Sequence, residues 1–225
     1  MKHGELRRQV VEICRRMSSS GLVTGTAGNV SVRAAEAEVL VSPSGLAYDT
    51  MTEEDVALVD LEGRLLRGPL SPSVETRMHT GIYRARAEVG AIVHTHARYC
   101  TTLACLAREL PPVHYMLAAL SEEGRVPLAP YATHGTEGLA LHAAEALGEK
   151  HSACLLQNHG TITIGSTLEE AYSRAEVMEE MAELYCRASA LGEPVLLDAD
   201  QIAETRTKLE RYGQSKASGG SSESS

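Results

Sequence analysis

The chain has 225 residues, 43% of them hydrophobic, and a formal charge of −9; this length predicts one sizeable α/β domain that buries about 70% or more of its unfolded surface. The acidic balance argues against nucleic acid as a partner, and the absence of Phe and Trp removes the usual stacking platform for bases. Five cysteines without a C-x-x-C pair fit a reducing cytoplasm, and no run reaches the ~18 apolar residues of a membrane span, so no membrane partner is expected.

In chain order, residues 1–20 set Val10, Val11, Ile13 and Met17 among four arginines, the pattern of an amphipathic helix. Gly25-Thr26-Ala27-Gly28-Asn29 then forms a glycine loop that runs into an alternating strand, Val30-Ser31-Val32. Such a loop either simply turns or lets backbone N–H groups approach an anion. A strand at Val39-Leu40-Val41 stops at the turn Ser42-Pro43-Ser44-Gly45, and residues 56–59 and 64–66 read as a hairpin around Glu62-Gly63.

From Ser73 the period turns helical, with Val74, Met78, Ile82 and Ala85 recurring and Ser73 placed to cap. The apolar run Ala91-Ile92-Val93 predicts a strand that ends in His94-Thr95-His96, so both rings emerge on one face. Two convergent imidazoles are half of a tetrahedral zinc site, or else a pair of surface histidines. His159, in the tight turn Asn158-His159-Gly160, and Glu75 are the candidate partners. His79, four residues after Glu75, is placed either as a further ligand or in a surface pair.

A helix is expected over residues 98–106, extended chain over 113–117, a helix over 136–147, and strands over 153–156 and 161–164. Thr167 opens a long helix to Leu191 with Glu170 completing a capping box, and a last helix spans residues 198–212. Residues 213–225, rich in Ser, Gly and Lys, read as a flexible tail after a single domain over 1–212. The element pattern predicts an α/β fold with a central mixed, mainly antiparallel sheet covered by helices.

Eight segments, taken in order, carry a resemblance. They are Gly25 to Ser31, Ser42-Pro43-Ser44-Gly45, Pro72-Ser73-Val74-Glu75, His94-Thr95-His96-Ala97, His114-Tyr115-Met116 with Tyr131-Ala132-Thr133, Leu155 to Gly160, and Arg211-Tyr212-Gly213. Together they resemble the class II, zinc-dependent aldolase family, particularly its L-fuculose-1-phosphate aldolase branch. The resemblance implies the family's three-layer fold and one Zn²⁺ per subunit held by Glu75, His94, His96 and His159, with Glu75 also the acid/base. It implies a sugar-phosphate substrate whose phosphate meets Gly28, Asn29, Ser44, Gly45 and Ser73. Tyr115, contributed to the neighbouring subunit's site of a homotetramer, would move the aldehyde-side proton, and Tyr212 would close over the site.

The implied reaction is cleavage of a ketose 1-phosphate, such as L-fuculose 1-phosphate, to dihydroxyacetone phosphate and an aldehyde, such as L-lactaldehyde. L-ribulose-5-phosphate 4-epimerase, methylthioribulose-1-phosphate dehydratase and a non-catalytic adducin-head module are the alternatives on the same fold. One departure stands out: the branch commonly carries two serines before the glutamate, and the second is Val74 here.

Overall fold

Strand-forming runs of Val, Ile and Leu are shared between two faces of one sheet. In the computed structural model, which describes residues 2–210, eight strands form an open sheet in the order β4-β3-β2-β1-β5-β8-β7-β6. They are β1 (Asn29–Ala35), β2 (Glu38–Val41), β3 (Ala57–Asp60), β4 (Leu65–Arg67), β5 (Ala91–Thr95), β6 (Leu128–Ala129), β7 (Ala153–Leu156) and β8 (Gly160–Gly165). Every neighbouring pair is antiparallel except β6 with β7. The expected mixed, mainly antiparallel sheet is therefore present.

The two-residue period of the strands divides the core. Val30, Leu40 and Val93 face α1 (Gly4–Ser19), α3 (Arg98–Cys105) and α5 (Leu168–Leu191), while Val39, Ile92 and Ile164 face α2 (Thr76–Ala85) and α4 (Glu137–Leu147). Burying a side chain such as Ile82 or Leu147 contributes about 1.5–3 kcal/mol, so the two apolar layers hold the central strands between them. A sixth helix, α6 (Ala199–Glu210), packs by the short 3-10 helix Tyr115–Ala119 and buries Ile202. No helix among the described residues is long and apolar enough to cross a membrane.

Several local expectations change. Residues 113–117 are not extended throughout: the ring Nδ1 of His114 accepts from the Met116 N–H at 3.3 Å, and Leu117 N–H bonds the His114 carbonyl at 3.1 Å, which starts the 3-10 turn. Ser73 does not cap a helix that begins at residue 74. Its hydroxyl accepts from Glu75 N–H at 3.2 Å and its carbonyl from Thr76 N–H at 3.0 Å, so a turn precedes α2 and Glu75 occupies the cap position. The two-residue β6, between Pro127 and Pro130, is too short to leave a period in the sequence. The end of the last predicted helix, Tyr212 and the tail 213–225 lie outside the described residues.

At α5 the Thr167 hydroxyl accepts from Glu170 N–H at 3.2 Å, as expected for a cap, while the Glu170 carboxylate reaches back one residue further than a capping box requires, to Ser166 N–H at 2.7 Å. Thr167→Ala should lower stability by about 1 kcal/mol, read as a shifted urea midpoint at unchanged slope.

Candidate metal centre

The site forms where three adjacent strands end together. On β5, Ile92 and His94 share one face, and His96 follows on the same side just past the strand end. β1 places Asn29 directly opposite His94, and β8 lies on the other side of β5. The β7–β8 turn brings in His159: Asn158 adopts a left-handed φ of 54°, and Gly160 packs so closely on the Thr95 carbonyl that a Cβ there would collide with it. Glu75 arrives from the cap position of α2.

One ligand atom from each of Glu75, His94, His96 and His159 lies within 4.8 Å of all the others. Glu75 Oε2 is 3.1 Å from His94 Nε2, Glu75 Oε1 is 3.1 Å from His159 Nε2, and His94 Nε2 is 3.0 Å from His96 Nε2. The three rings stand edge to face, with centroids 4.8, 4.9 and 5.0 Å apart and interplanar angles of 70–75°. Four donors at about 2.0–2.1 Å from one zinc ion would stand roughly 3.3 Å apart, close to these spacings.

The donor chemistry fits a cation as well. His94 Nδ1 lies 2.8 Å from the Thr161 carbonyl, which can only accept, so Nδ1 carries a proton and a neutral His94 presents its Nε2 lone pair to the cluster. Glu75 Oε1, despite its nearness to His159, is buried with no hydrogen-bond partner. Three imidazoles and a carboxylate suit zinc or another late divalent ion better than Mg²⁺.

Electrostatics sort the protonation states. Burial alone would push the Glu75 carboxyl up, but the adjacent His94 and then His159 imidazoles hold it well below the usual carboxylate range. Burial also works against a charge on His94, yet the Glu75 carboxylate raises it. For His96, burial and then the neighbouring His94 and His159 push the imidazole down to about 4. Asn29 Nδ2 donates to Glu75 Oε2 at 2.8 Å, which leaves its own Oδ1 buried and without a partner.

Beside the cluster opens a cleft of about 380 Å³ lined by Gly28, Asn29, Ser44, Gly45 and Ser73 together with Glu75, His96 and His159. Gly28 and Gly45 have φ of 75° and 68°, and a Cβ on Gly28 would stand 2.6 Å from the His94 carbonyl oxygen. The loop can therefore lie on the His94-bearing strand only as glycine. Thr26, Val74, Tyr131, Ala132, His134 and Asn158 also line the cleft. Of these, Tyr131 and His134 come from a loop that no hydrophobic period marks; its only sequence signal is the Tyr131-Ala132-Thr133 motif. Among the described lining residues there is no Lys or Arg, so an anion here would be held by amides, hydroxyls and any bound cation.

Tyr115 is half-exposed, stacks on His114 with centroids 4.6 Å apart, and does not line this cleft within its own chain. Tyr212 lies outside the described residues. His79 is neither a ligand nor in a surface pair: it is fully buried, with Nδ1 2.7 Å from Ser31 Oγ. The Glu75-x-x-x-His79 spacing does place both on one side of α2, but His79 lies a full turn further along the helix, over β1.

The model of the class II aldolase and adducin N-terminal domain family matches residues 8–186. The chain belongs to that family. This class II aldolase family member is 42% identical over 208 residues to a 5-methylthioribulose-1-phosphate/5-deoxyribulose-1-phosphate aldolase of Rhodospirillum rubrum, covering 92% of each chain. It is 40% identical over 214 residues to an L-fuculose phosphate aldolase of Escherichia coli, covering 95% of this chain and 98% of that one. A solved L-fuculose 1-phosphate aldolase superposes with a TM-score of 0.87 at 34% identity, covering 92% of this chain and 96% of that one.

Two imidazoles, the fully buried His79 and the partly buried His96, give the metal-free family member a defined acid sensitivity. His96 is pushed down to about 4 and His79, by burial, to about 3, so the unfolded chain binds the extra protons first. Their neutral forms favour the folded state above the unfolded value of about 6.5, and that advantage is lost as pH falls. His94, shifted upward, contributes most below that value and does not reverse the trend. Thermal midpoints of metal-free protein should fall steadily from pH 6.5 to 4, and a flat profile would contradict these protonation states.

Proposed function

We propose that the chain is a zinc-dependent aldolase that reversibly cleaves a ketose 1-phosphate to dihydroxyacetone phosphate and an aldehyde. The observation that carries this reading is the convergence of Glu75, His94, His96 and His159 at one side of a cleft whose other residues are glycine amides and hydroxyls. In this reading His94, His96 and His159 hold the ion, and Glu75 completes the set. When bound, the ion supplies an electron sink for the negative charge that C–C cleavage leaves beside a carbonyl.

The chain's own groups do the rest. Gly28, Asn29, Ser44, Gly45 and Ser73 hold the substrate phosphate through amides and side-chain donors. Glu75, a carboxylate at neutral pH, carries the proton at the carbon that gains electron density. Tyr115, which does not line the cleft of its own chain, serves the site of a neighbouring subunit in a homotetramer and moves the proton on the aldehyde oxygen. The same reading makes residues 1–212 one domain, gives Tyr212 the closing role, and places the enzyme in the cytoplasm.

For the substrate we propose L-fuculose 1-phosphate, with L-lactaldehyde as the aldehyde product, supported by the L-fuculose phosphate aldolase likeness across nearly the whole chain. A second reading, a 5-deoxy- or 5-methylthio-pentulose 1-phosphate, is favoured by one feature. Val74 and Tyr131 are 60% and 57% exposed and, with Ala132, give the cleft an apolar rim that suits an aldehyde with no hydroxyl on the carbon next to its carbonyl, which L-lactaldehyde carries. This reading follows the name of the Rhodospirillum rubrum relative.

Incubating the zinc-loaded protein with dihydroxyacetone phosphate and either L-lactaldehyde or methylthioacetaldehyde tests both readings. C–C bond formation supports the aldolase, and the faster aldehyde names the substrate; failure with every aldehyde, alongside epimerisation of a pentulose phosphate, overturns it. Glu75→Gln should lower turnover at least about 100-fold, measured as kcat for cleavage at saturating zinc.

A further inference from the structure

Beneath the metal centre, β1 and α2 are joined by polar contacts at three successive levels. Asn29, Ser31 and Arg33 alternate onto one face of β1, and Glu75, His79 and Tyr83 recur at intervals of four along α2. Asn29 Nδ2 donates to Glu75 Oε2 at 2.8 Å. Ser31 Oγ lies 2.7 Å from His79 Nδ1 and 2.9 Å from the Tyr83 hydroxyl. Arg33 donates to the Tyr83 carbonyl at 2.9 Å, with its guanidinium carbon 4.7 Å from the centre of the Tyr83 ring. Two residues of strand advance about 6.8 Å and four residues of helix about 6 Å, so the levels stay matched along both elements.

The middle level is unusual in its cost. His79 and Ser31 are fully buried and Tyr83 nearly so, and His79 Nε2 has no hydrogen-bond partner. Next to it on α2, Met78 and Ile82 are buried in the apolar layer against the sheet. A leucine at position 79 would fill the space without desolvating an imidazole. Stability alone therefore does not call for histidine here.

Position does. Asn29 is the cross-strand partner of His94, and Glu75 Oε2 stands 3.1 Å from His94 Nε2, so any slide or rotation of α2 along β1 changes the distance between carboxylate and imidazole directly. Apolar contacts are not directional, whereas a hydrogen bond to Ser31 fixes both height and rotation. We propose that His79 is a positioning residue: its hydrogen bond to Ser31 locks α2 on β1 at the register that brings the Glu75 carboxylate to the three-histidine cluster. This inference rests on the metal-site reading.

The test uses zinc alone, by competition against a chelator, with thermal midpoints of the metal-free protein. In His79→Leu the zinc dissociation constant should rise at least about tenfold, while the metal-free midpoint stays level or rises. His79→Asn, whose side-chain amide occupies the place of Nδ1 and can still bond Ser31, should bring zinc affinity back to within about threefold of the original protein. If His79→Leu does not fold, Ser31→Ala removes the same bond at small volume cost and should weaken zinc by a similar factor. Unchanged zinc affinity in the variant that folds overturns the inference, as do equal losses in His79→Leu and His79→Asn. Absence of zinc binding by the unaltered protein overturns the metal-site reading itself, and this inference with it.

Discussion

Glu75 is a carboxylate buried against three imidazoles, and a buried charge persists only where partners surround it. That requirement organises the centre of the molecule. It draws the cap residue of α2 down onto the ends of β5 and β8, requires Asn29 to supply a donor, and leaves the Oε1 atom without a hydrogen bond of its own. A cation at this point answers all of these demands together: it offsets the carboxylate, takes up the ring lone pairs, and gives Oε1 a partner. The two apolar layers, by contrast, supply stiffness without direction, which is why the polar contacts between β1 and α2 matter to the carboxylate's placement.

The glycine loop shows the same economy of space. Gly28 lies against the His94 carbonyl at a distance no side chain tolerates, so the loop backbone lies beside the His94-bearing strand. Hydroxyls from Ser44 and Ser73 complete a cleft without Lys or Arg among its described lining residues.

Much of this was legible in the sequence because strand periodicity is short-range. His94 and His96 share a face by the two-residue repeat, and Asn158-His159-Gly160 announces a tight turn in its residue types, confirmed by the left-handed Asn158. The sheet type and most element boundaries followed from the same local signals. Other features depend on tertiary register, which no window of sequence contains. The pairing of Asn29 with His94 is one, and the burial of His79 over Ser31 is another. A histidine four residues after a glutamate has the same pattern whether it binds metal, pairs at the surface or lies in a core. Residues 113–117 misled for a different reason: their apolar run matches a strand, but the His114 ring captures a backbone N–H and starts a 3-10 turn. Tyr131 and His134 reach the cleft from a loop that has no periodicity to read.

The central claim is a mononuclear metal centre built from these four side chains. X-ray absorption at the zinc edge on stoichiometrically loaded protein tests it most directly. The account predicts one zinc per chain with three nitrogen ligands at about 2.0–2.1 Å and at least one oxygen at about 2.0–2.2 Å, with a nitrogen scatterer lost in His159→Ala. A sulfur-containing first coordination shell, or a spectrum that His159→Ala leaves unchanged, would contradict it.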